Sequence, residues 1–455
     1  MRPVLIIAVL VLVACGDDEG AGARDAEPTT DAGAMDGASD GATPDAAAPP
    51  PTPQPPRDAG PSEDAAPDDR LAWPNDESRA TSDPWIVENH ARIEVLRPRI
   101  LGLSFRNGRT IDDMRALFAS IFAAMREGSR RHGHRDARAR PMLEPELAYA
   151  VDLTDRVAPD GWPYRNSTLY PREDPVEGTW GFDYEALFSA SFAERYGIED
   201  PDAPGRALTL CELSERGLVH EVWVYADADV PDVAAAEILT IQPVYDESGA
   251  RLPGELARCA GNGCFDVDDE IPADCTRTLR IGWVNNTRGV GCYLESYAHG
   301  IERMGNGGHL PPLSAYWRDL AGFDLDDRYG LPFDSWYVCG GLPGHCLTYT
   351  SESSVTYATV PASGSIDPYV PTCGNAHFPP NARDPYDLDN EAPVLSTCET
   401  WRDGDVPMPV GRADWDRYRA LAPDCTGAWL VWWWQHFPAH DDPTGAPATW
   451  PFLYW

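Results

Sequence analysis

Residues 278–302, TLRIGWVNNTRGVGCYLESYAHGIE, leave the chain few choices. Positions 279–284 form a mostly apolar run that reads as a buried strand. Asn285-Asn286-Thr287-Arg288-Gly289 is a polar turn. From Cys292 the pattern switches to helical spacing, and Glu295, His299 and Glu302 follow at intervals of four and three. That spacing puts all three on one helix face. Strand, polar turn and helix start in succession make the site-bearing corner of an open α/β sheet.

The rest of the chain supports that class. Positions 98–105 (PRILGLSF) and 218–225 (LVHEVWVY) read as buried strands, and 147–153 as another. Thr110-Ile111-Asp112-Asp113 carries a cap signature ahead of a helix reaching Met125. Helices are also expected over 184–196 and over 208–216, the second stopped by Gly217. Residues 160–180 and 230–277 show little periodicity, and beyond 340 the pattern is loops and turns. The expectation is an α/β fold, a largely parallel sheet with flanking helices and irregular, disulfide-stapled insertions.

The opening residues bear on location. Arg2 precedes an apolar stretch of about ten residues, too short to span a bilayer as a mature helix. It ends in Leu12-Val13-Ala14-Cys15, which looks like a bacterial lipobox, with Cys15 as the lipidated residue. Gly16 leans toward outer-membrane or cell-surface sorting. Residues 16–70 carry 14 acids, three Arg and almost no large apolar side chain. Such a segment cannot bury enough surface to order itself, so it reads as a charge-extended tether. The organisation is thus a signal peptide over 1–15, a tether over 16–70 and one large α/β ectodomain over 71–455. Setting Cys15 aside leaves ten of the 11 Cys, an even number suited to up to five disulfides in an oxidising compartment. Cys259/Cys264 and Cys339/Cys346 read as local staples and Cys373/Cys398 as a longer one. The net charge is −37 with no Lys, which argues against nucleic acid as a partner.

Candidate site residues follow from chemistry and spacing. Glu295 and His299 can hold one divalent metal ion, completed by Glu302 or His377, because imidazole with carboxylate suits zinc or a similar ion. A helix-surface hydrogen-bonded pair is the plainer reading of the same residues. Arg288 and the amides near Gly289 either hold a substrate anion or bury Arg288 against Glu221 or Glu295. Glu221, in an apolar strand, is either a general acid or base or a structural partner of Arg288. Asp227 and Asp229 are loop acids just beyond that strand, with Ca²⁺ ligation as the alternative. His377 sits in CGNAHFPPN, where two prolines fix the backbone and Asn375 and Asn381 flank the ring. Trp429, Trp432, Trp433 and Trp434 suit sugar stacking by chemistry, but contiguous residues cannot all face one way, so burial fits better. The chain lacks a Gly-x-Gly-x-x-Gly loop, a phosphate loop and a Gly-x-Ser-x-Gly elbow, which argues against nucleotide binding and the usual serine esterase.

Four phrases occur together: GSRRHGHRD at 128–136, LVHEVWVY at 218–225, WVNNTRGVGCYLESYAHGIE at 283–302 and CGNAHFPPNARDPYDLDN at 373–390. Together they resemble an uncharacterised family of secreted bacterial proteins. Its motifs are a Ser-Arg-x-His-Gly segment, a Glu-Val-Trp strand, an Asn-x-x-Arg-Gly-Val turn leading into a Glu-x-x-x-His helix, and a His-Phe-Pro-Pro-Asn loop. The resemblance spans roughly residues 95–440. It implies a shared fold and a site that includes Glu221, Trp223, Asn285, Arg288, Gly289, Glu295, His299, Glu302, His377 and Asn381, and it supplies no reaction. Gly300 stands where the pattern has Arg, and Asp227-Ala228-Asp229 replaces a Gly/Pro-aromatic segment, which puts a shared substrate in question.

Two functions fit these residues. One is a lipid-anchored hydrolase of an extracellular peptide or glycan. It would use Glu221, Glu295, His299 and His377 catalytically, bind substrate through Asn285, Arg288 and Asn381, and hold a metal on Glu295, His299 and Glu302. The other is a non-catalytic surface protein that binds glycans through its aromatic residues. Convergence of the polar residues in one cleft favours the first, and dispersal with exposed coplanar rings the second.

Overall fold

The computed structural model describes residues 69–79, 82–105, 109–153, 172–173, 180–181, 187–226, 238–265, 271–340, 345–360, 362–440 and 442–455. Cys15, nearly all of the tether, Asp227, Asp229 and most of 160–180 lie outside the described residues.

A strand covered on both faces needs apolar side chains pointing both ways. Two mostly apolar strands are buried at every residue, Glu221–Ala226 (β3) and Leu279–Asn285 (β6), and they lie side by side in the middle of a six-stranded sheet. The other members are Arg99–Phe105 (β1), Glu146–Leu153 (β2), Ile238–Tyr245 (β4) and Arg251–Ala257 (β5). The order is β5-β4-β6-β3-β1-β2. β6, β3, β1 and β2 are mutually parallel, with Arg280 opposite Glu221 and Asn285 opposite Ala226. β4 and β5 add on antiparallel, so the sheet is mixed.

Alternation along the strands divides the interior into two cores. Val222, Val224 and Ala226 face one core with Leu101, Ile281 and Phe192. Here a short helix, Leu210–Glu215, is capped by Thr209 and Glu212 and followed by Gly217 at φ +61°. Trp223 and Tyr225 face the larger core, built from helices α1 (Ile111–Gly128), α2 (Val290–Asn306) and α3 (Gly427–Trp434). α1 opens with the expected box, in which the Asp113 amide donates to Thr110 Oγ1 and the Thr110 amide to Asp113 Oδ2. The third expected helix is shorter than its pattern, Ala190–Tyr196, because Ser189 caps it by accepting from the Phe192 amide.

Two stretches held more order than their pattern showed. The 230–277 segment contains the β4–β5 hairpin. β4 is buried on both faces and therefore does not alternate, and Pro243 sits at a bulge where the ladder loses a donor. The Asp246 carboxylate builds the turn by accepting from the Ser248 and Ala250 amides. Beyond 340, Leu347–Ser351, Ser354–Ala358 and Ser363–Ile366 form a small antiparallel sheet of Ser, Thr and Tyr, too exposed to leave an apolar rhythm.

All ten remaining cysteines pair. Cys259–Cys264, Cys339–Cys346 and Cys373–Cys398 are the expected staples. Cys211–Cys275 and Cys292–Cys425 join distant segments. No described helix is long and apolar enough to cross a membrane. Trp429, Trp432, Trp433 and Trp434 are all fully buried in α3, so they are core and offer no face to a sugar.

The Cys292–Cys425 bridge closes a separation of 133 residues and fastens the start of α2 to the segment before α3. Replacing both cysteines by Ser should lower unfolding free energy by about 2–5 kcal/mol. A urea midpoint unchanged under non-reducing conditions would contradict this.

Candidate functional site

The corner between β6 and α2 is committed to structure. The Asn285 side chain accepts from the Thr287 amide and hydroxyl at 2.9 and 2.8 Å, which shapes the turn. The helix-start amides of Gly289 and Gly291 donate to the two Asp424 carboxylate oxygens at 2.8 and 2.9 Å. The anion at this helix start is therefore the chain's own carboxylate. A Cβ on Gly291 would meet the Asp424 carbonyl oxygen at 1.9 Å, so this approach requires glycine. Arg288 is half-buried and lines a shallow cleft with Trp283, Asn285, Tyr293 and Ser296.

Glu221 lies at the other end of the sheet. It opens β3, whereas Asn285 closes the parallel neighbour β6. Five residues separate those rungs, about 16 Å at roughly 3.3 Å per residue. The Glu221 carboxylate is fully buried and accepts from Tyr297 and Tyr454 hydroxyls at 2.9 and 2.6 Å and from the Trp223 indole at 2.8 Å. Burial, with the Glu221 charge, pushes both phenols well above their ordinary range. Arg280 stands opposite Glu221 in register, 5.6 Å from the Tyr454 ring. The expected partnership with Arg288 gives way to two tyrosines, a tryptophan and this arginine.

The remaining candidates converge. Residues 295 and 299 stand about 200° around the helix from Tyr297 on either side, so when Tyr297 faces the sheet they face away. His377 reaches them from a loop turned tightly by Gly374, at φ +70°, where a Cβ would meet the Phe378 carbonyl oxygen at 2.2 Å. His377 Nε2 lies 2.7 Å from His299 Nε2 and 2.9 Å from Glu295 Oε1. These three donor atoms fall within 4.8 Å of one another. Their side chains are 13–16 % exposed, open to solvent on one side.

Glu302 takes a different place from the one its spacing suggested. Its Oε2 lies 2.8 Å from His299 Nδ1, behind the ring. It also accepts from the Ala376 amide at 2.8 Å and the Tyr337 hydroxyl at 3.1 Å. The third donor is His377, and Glu302 is the carboxylate that orients His299. Burial pushes the His299 ring down, but the hydrogen bond and charge of Glu302 outweigh it and the net shift is upward. Burial pushes His377 down against the pull of Glu295. Burial raises Glu295, and its contacts with His377 and His299 bring it below its ordinary value.

Asn381 belongs to the loop's frame. It is fully buried, and its amide nitrogen donates to the Asn390 and Ala392 carbonyls at 2.7 and 3.1 Å. Two residues escaped sequence reasoning. Tyr337 braces Glu302, and Tyr386, 54 % exposed, stacks on His377 with ring centroids 3.9 Å apart. Tyr386 has φ +65°, rare for a bulky residue and without a sequence signal.

No protein-family model, curated protein or solved structure matches the chain. The site must be read from its own geometry.

Glu221→Gln separates the two groups. Replacing a buried carboxylate with three donors should cost about 2–3 kcal/mol in urea unfolding. It should leave the donor geometry of Glu295, His299 and His377 intact, so metal content equal to wild type is expected. Loss of metal from a folded Glu221→Gln protein would place Glu221 in the site after all.

Proposed function

We propose that the protein is a metal-dependent hydrolase acting on a peptide or glycan polymer outside the cell, tethered to the outer membrane or cell surface by lipid on Cys15. One observation carries the reading: Glu295 Oε1, His299 Nε2 and His377 Nε2 converge with a carboxylate behind His299. Two imidazoles and a carboxylate are the protein ligands of a hydrolytic zinc site that keeps a position open for water. A divalent ion there would lower the pKa of that water to about 7.

The protein's own groups supply the rest. Glu302 accepts a hydrogen bond from the His299 Nδ1–H, which leaves Nε2 with its lone pair aimed at the cluster. Without an ion, the two Nε2 atoms at 2.7 Å need a shared proton between them. Tyr386 covers His377 at the solvent side and offers the face of its ring to an arriving chain. The donors are partly exposed, at 13–16 %, which leaves them within reach of an extended polymer segment. The acidic surface disfavours an anionic polymer. The exported, disulfide-bonded setting fits an extracellular substrate. The non-catalytic glycan reading loses its main support with the burial of the tryptophans in α3.

The full chain, made in an oxidising compartment, stripped with a chelator and reloaded with zinc, manganese or cobalt(II), should hydrolyse members of a peptide and polysaccharide panel. Glu295→Gln, His299→Ala and His377→Ala should each abolish turnover, and Glu302→Gln should weaken metal binding roughly 10–100-fold. Turnover that survives stripping, or survives in all three donor variants, would end the proposal. So would a folded wild type that takes iron and consumes dioxygen, because the same donor set serves non-haem oxygenases.

The pH dependence has a definite sign. The folded His299 value lies above the ordinary 6.5. In the metal-free protein the protonated ring therefore stabilises the fold at low pH, and this is lost as pH rises through the folded value. A metal ion competes with that proton. Zinc affinity should fall as pH drops through that value, and Glu302→Gln should shift the fall to lower pH. An affinity flat between pH 5 and 8 would contradict the assignment.

A further inference from the structure

Four donors that the proposed reaction does not use meet elsewhere. His132 and His134 lie on the loop after α1, Glu399 on a single turn at Cys398–Thr400, and His436 two residues beyond α3. One ligand atom from each falls within 4.8 Å of the others. His134 Nε2 is 2.9 Å from Glu399 Oε1, His436 Nε2 is 3.2 Å from Glu399 Oε2, and His132 Nδ1 is 3.6 Å from the same oxygen.

The outer nitrogens decide what the inner ones can do. His436 Nδ1 lies 2.8 Å from the Trp432 carbonyl, which can only accept, so that nitrogen carries the proton. Its Nε2 then points inward with a bare lone pair. His436 is 0 % exposed, and Nε2 makes no hydrogen bond among the described residues. His134 stands between two acceptors. Gln435 Nε2 donates to the Glu127 carbonyl, which turns Oε1 toward His134 Nδ1 at 3.1 Å, while Nε2 is 2.9 Å from Glu399 Oε1. With its proton on Nδ1 for Gln435, the ring would present Nε2 to a cation beside the Glu399 carboxylate; without a cation, Nε2 donates to that carboxylate. His132 Nδ1 is likewise buried without a hydrogen bond among the described residues. Lone pairs aimed at a carboxylate repel unless a cation lies between them.

Of the surrounding charges, Arg131 is committed to Asp442 and to the His436 carbonyl, each at 2.7 Å. Arg130 is committed to Glu127. Arg135 reaches Glu399 Oε2 at 2.7 Å, but its side chain is 43 % exposed and can swing into water at little cost.

We infer that His132, His134, His436 and Glu399 form a second metal centre, for a divalent ion of the zinc class, closed by protein donors on all four sides. Imidazole-rich donors select zinc, copper or nickel over calcium and magnesium. Four protein ligands leave no position for substrate, so the role is structural. The ion would pin the loop after α1 to the C-terminal segment, and Trp432 and Gln435 would orient its ligands from behind.

The test uses the full chain carrying Glu295→Gln, which removes one donor of the proposed active site and leaves this cluster whole. After stripping and reloading, this protein should hold one zinc ion. With cobalt(II) it should show the intense visible bands of four-coordinate geometry. Adding His132→Asn should weaken zinc binding more than about 100-fold, since a ligand is lost outright rather than its support. Asn tolerates the left-handed backbone at φ +49°, and this is the most exposed of the three rings, so folding by circular dichroism should persist. His132→Asn alone should keep the other ion and any hydrolysis. A folded Glu295→Gln protein without zinc, or one whose zinc survives His132→Asn, would overturn the inference. The cluster would then be a charge network centred on Glu399 and Arg135.

Discussion

The carboxylate of Glu302 ties the scaffold to the site. It lies on α2, yet its partners come from three places: His299 one turn earlier, the Ala376 amide on the His377 loop, and the Tyr337 hydroxyl from a separate turn. A buried carboxylate is costly unless it is richly hydrogen-bonded, and these donors meet the demand. Holding the loop against the helix places His377 beside Glu295, and holding His299 Nδ1 fixes which nitrogen faces them. Both effects follow from one side chain, so neither the loop nor the tautomer can shift independently.

The start of α2, where an open α/β sheet would offer an anion site, is closed by Asp424. Two amides, a disulfide and a glycine that tolerates no Cβ hold that closure. The candidate donors lie further along the helix, at residues 295 and 299, on the side away from the sheet. The strand ends then act as supports, and Glu221 at the opposite end does similar work for Tyr297 and Tyr454.

What the sequence disclosed depended on how local each signal was. β3 and β6 announced themselves because burial on both faces makes unbroken apolar runs, and Thr110 with Asp113 marked α1 through a three-residue interaction. Short-range cysteine pairs were legible from spacing, whereas Cys211–Cys275 and Cys292–Cys425 depend on the topology. β4 stayed hidden because the buried polar residues Thr240 and Gln242, followed by Pro243, break the apolar run that marks a strand covered on both faces. At the site, helical spacing brought Glu295 and His299 together but could not rank Glu302 against His377. That choice depends on where a loop 78 residues away from His299 returns. Tyr386 and the paired His-x-His phrase at 132–134 gave no such cue, since their partners arrive from distant segments.

α3 connects these observations. Its eight residues include four tryptophans, all buried. Trp429 donates its indole N–H to the Asn375 carbonyl, two residues before His377, and Trp432 stacks on His436 with centroids 4.0 Å apart while its carbonyl holds the ring's proton. Trp432, Trp433 and Trp434 find no indole acceptor among the described residues, a cost of about 1–3 kcal/mol each. Packing against rings such as Trp415, Trp317 and Trp450 must outweigh it. Smaller side chains would avoid the unpaired N–H groups but leave voids beside both clusters. A helix that accepts this cost holds Asn375 on one side and His436 on the other, and so supports both donor sets from one rigid element.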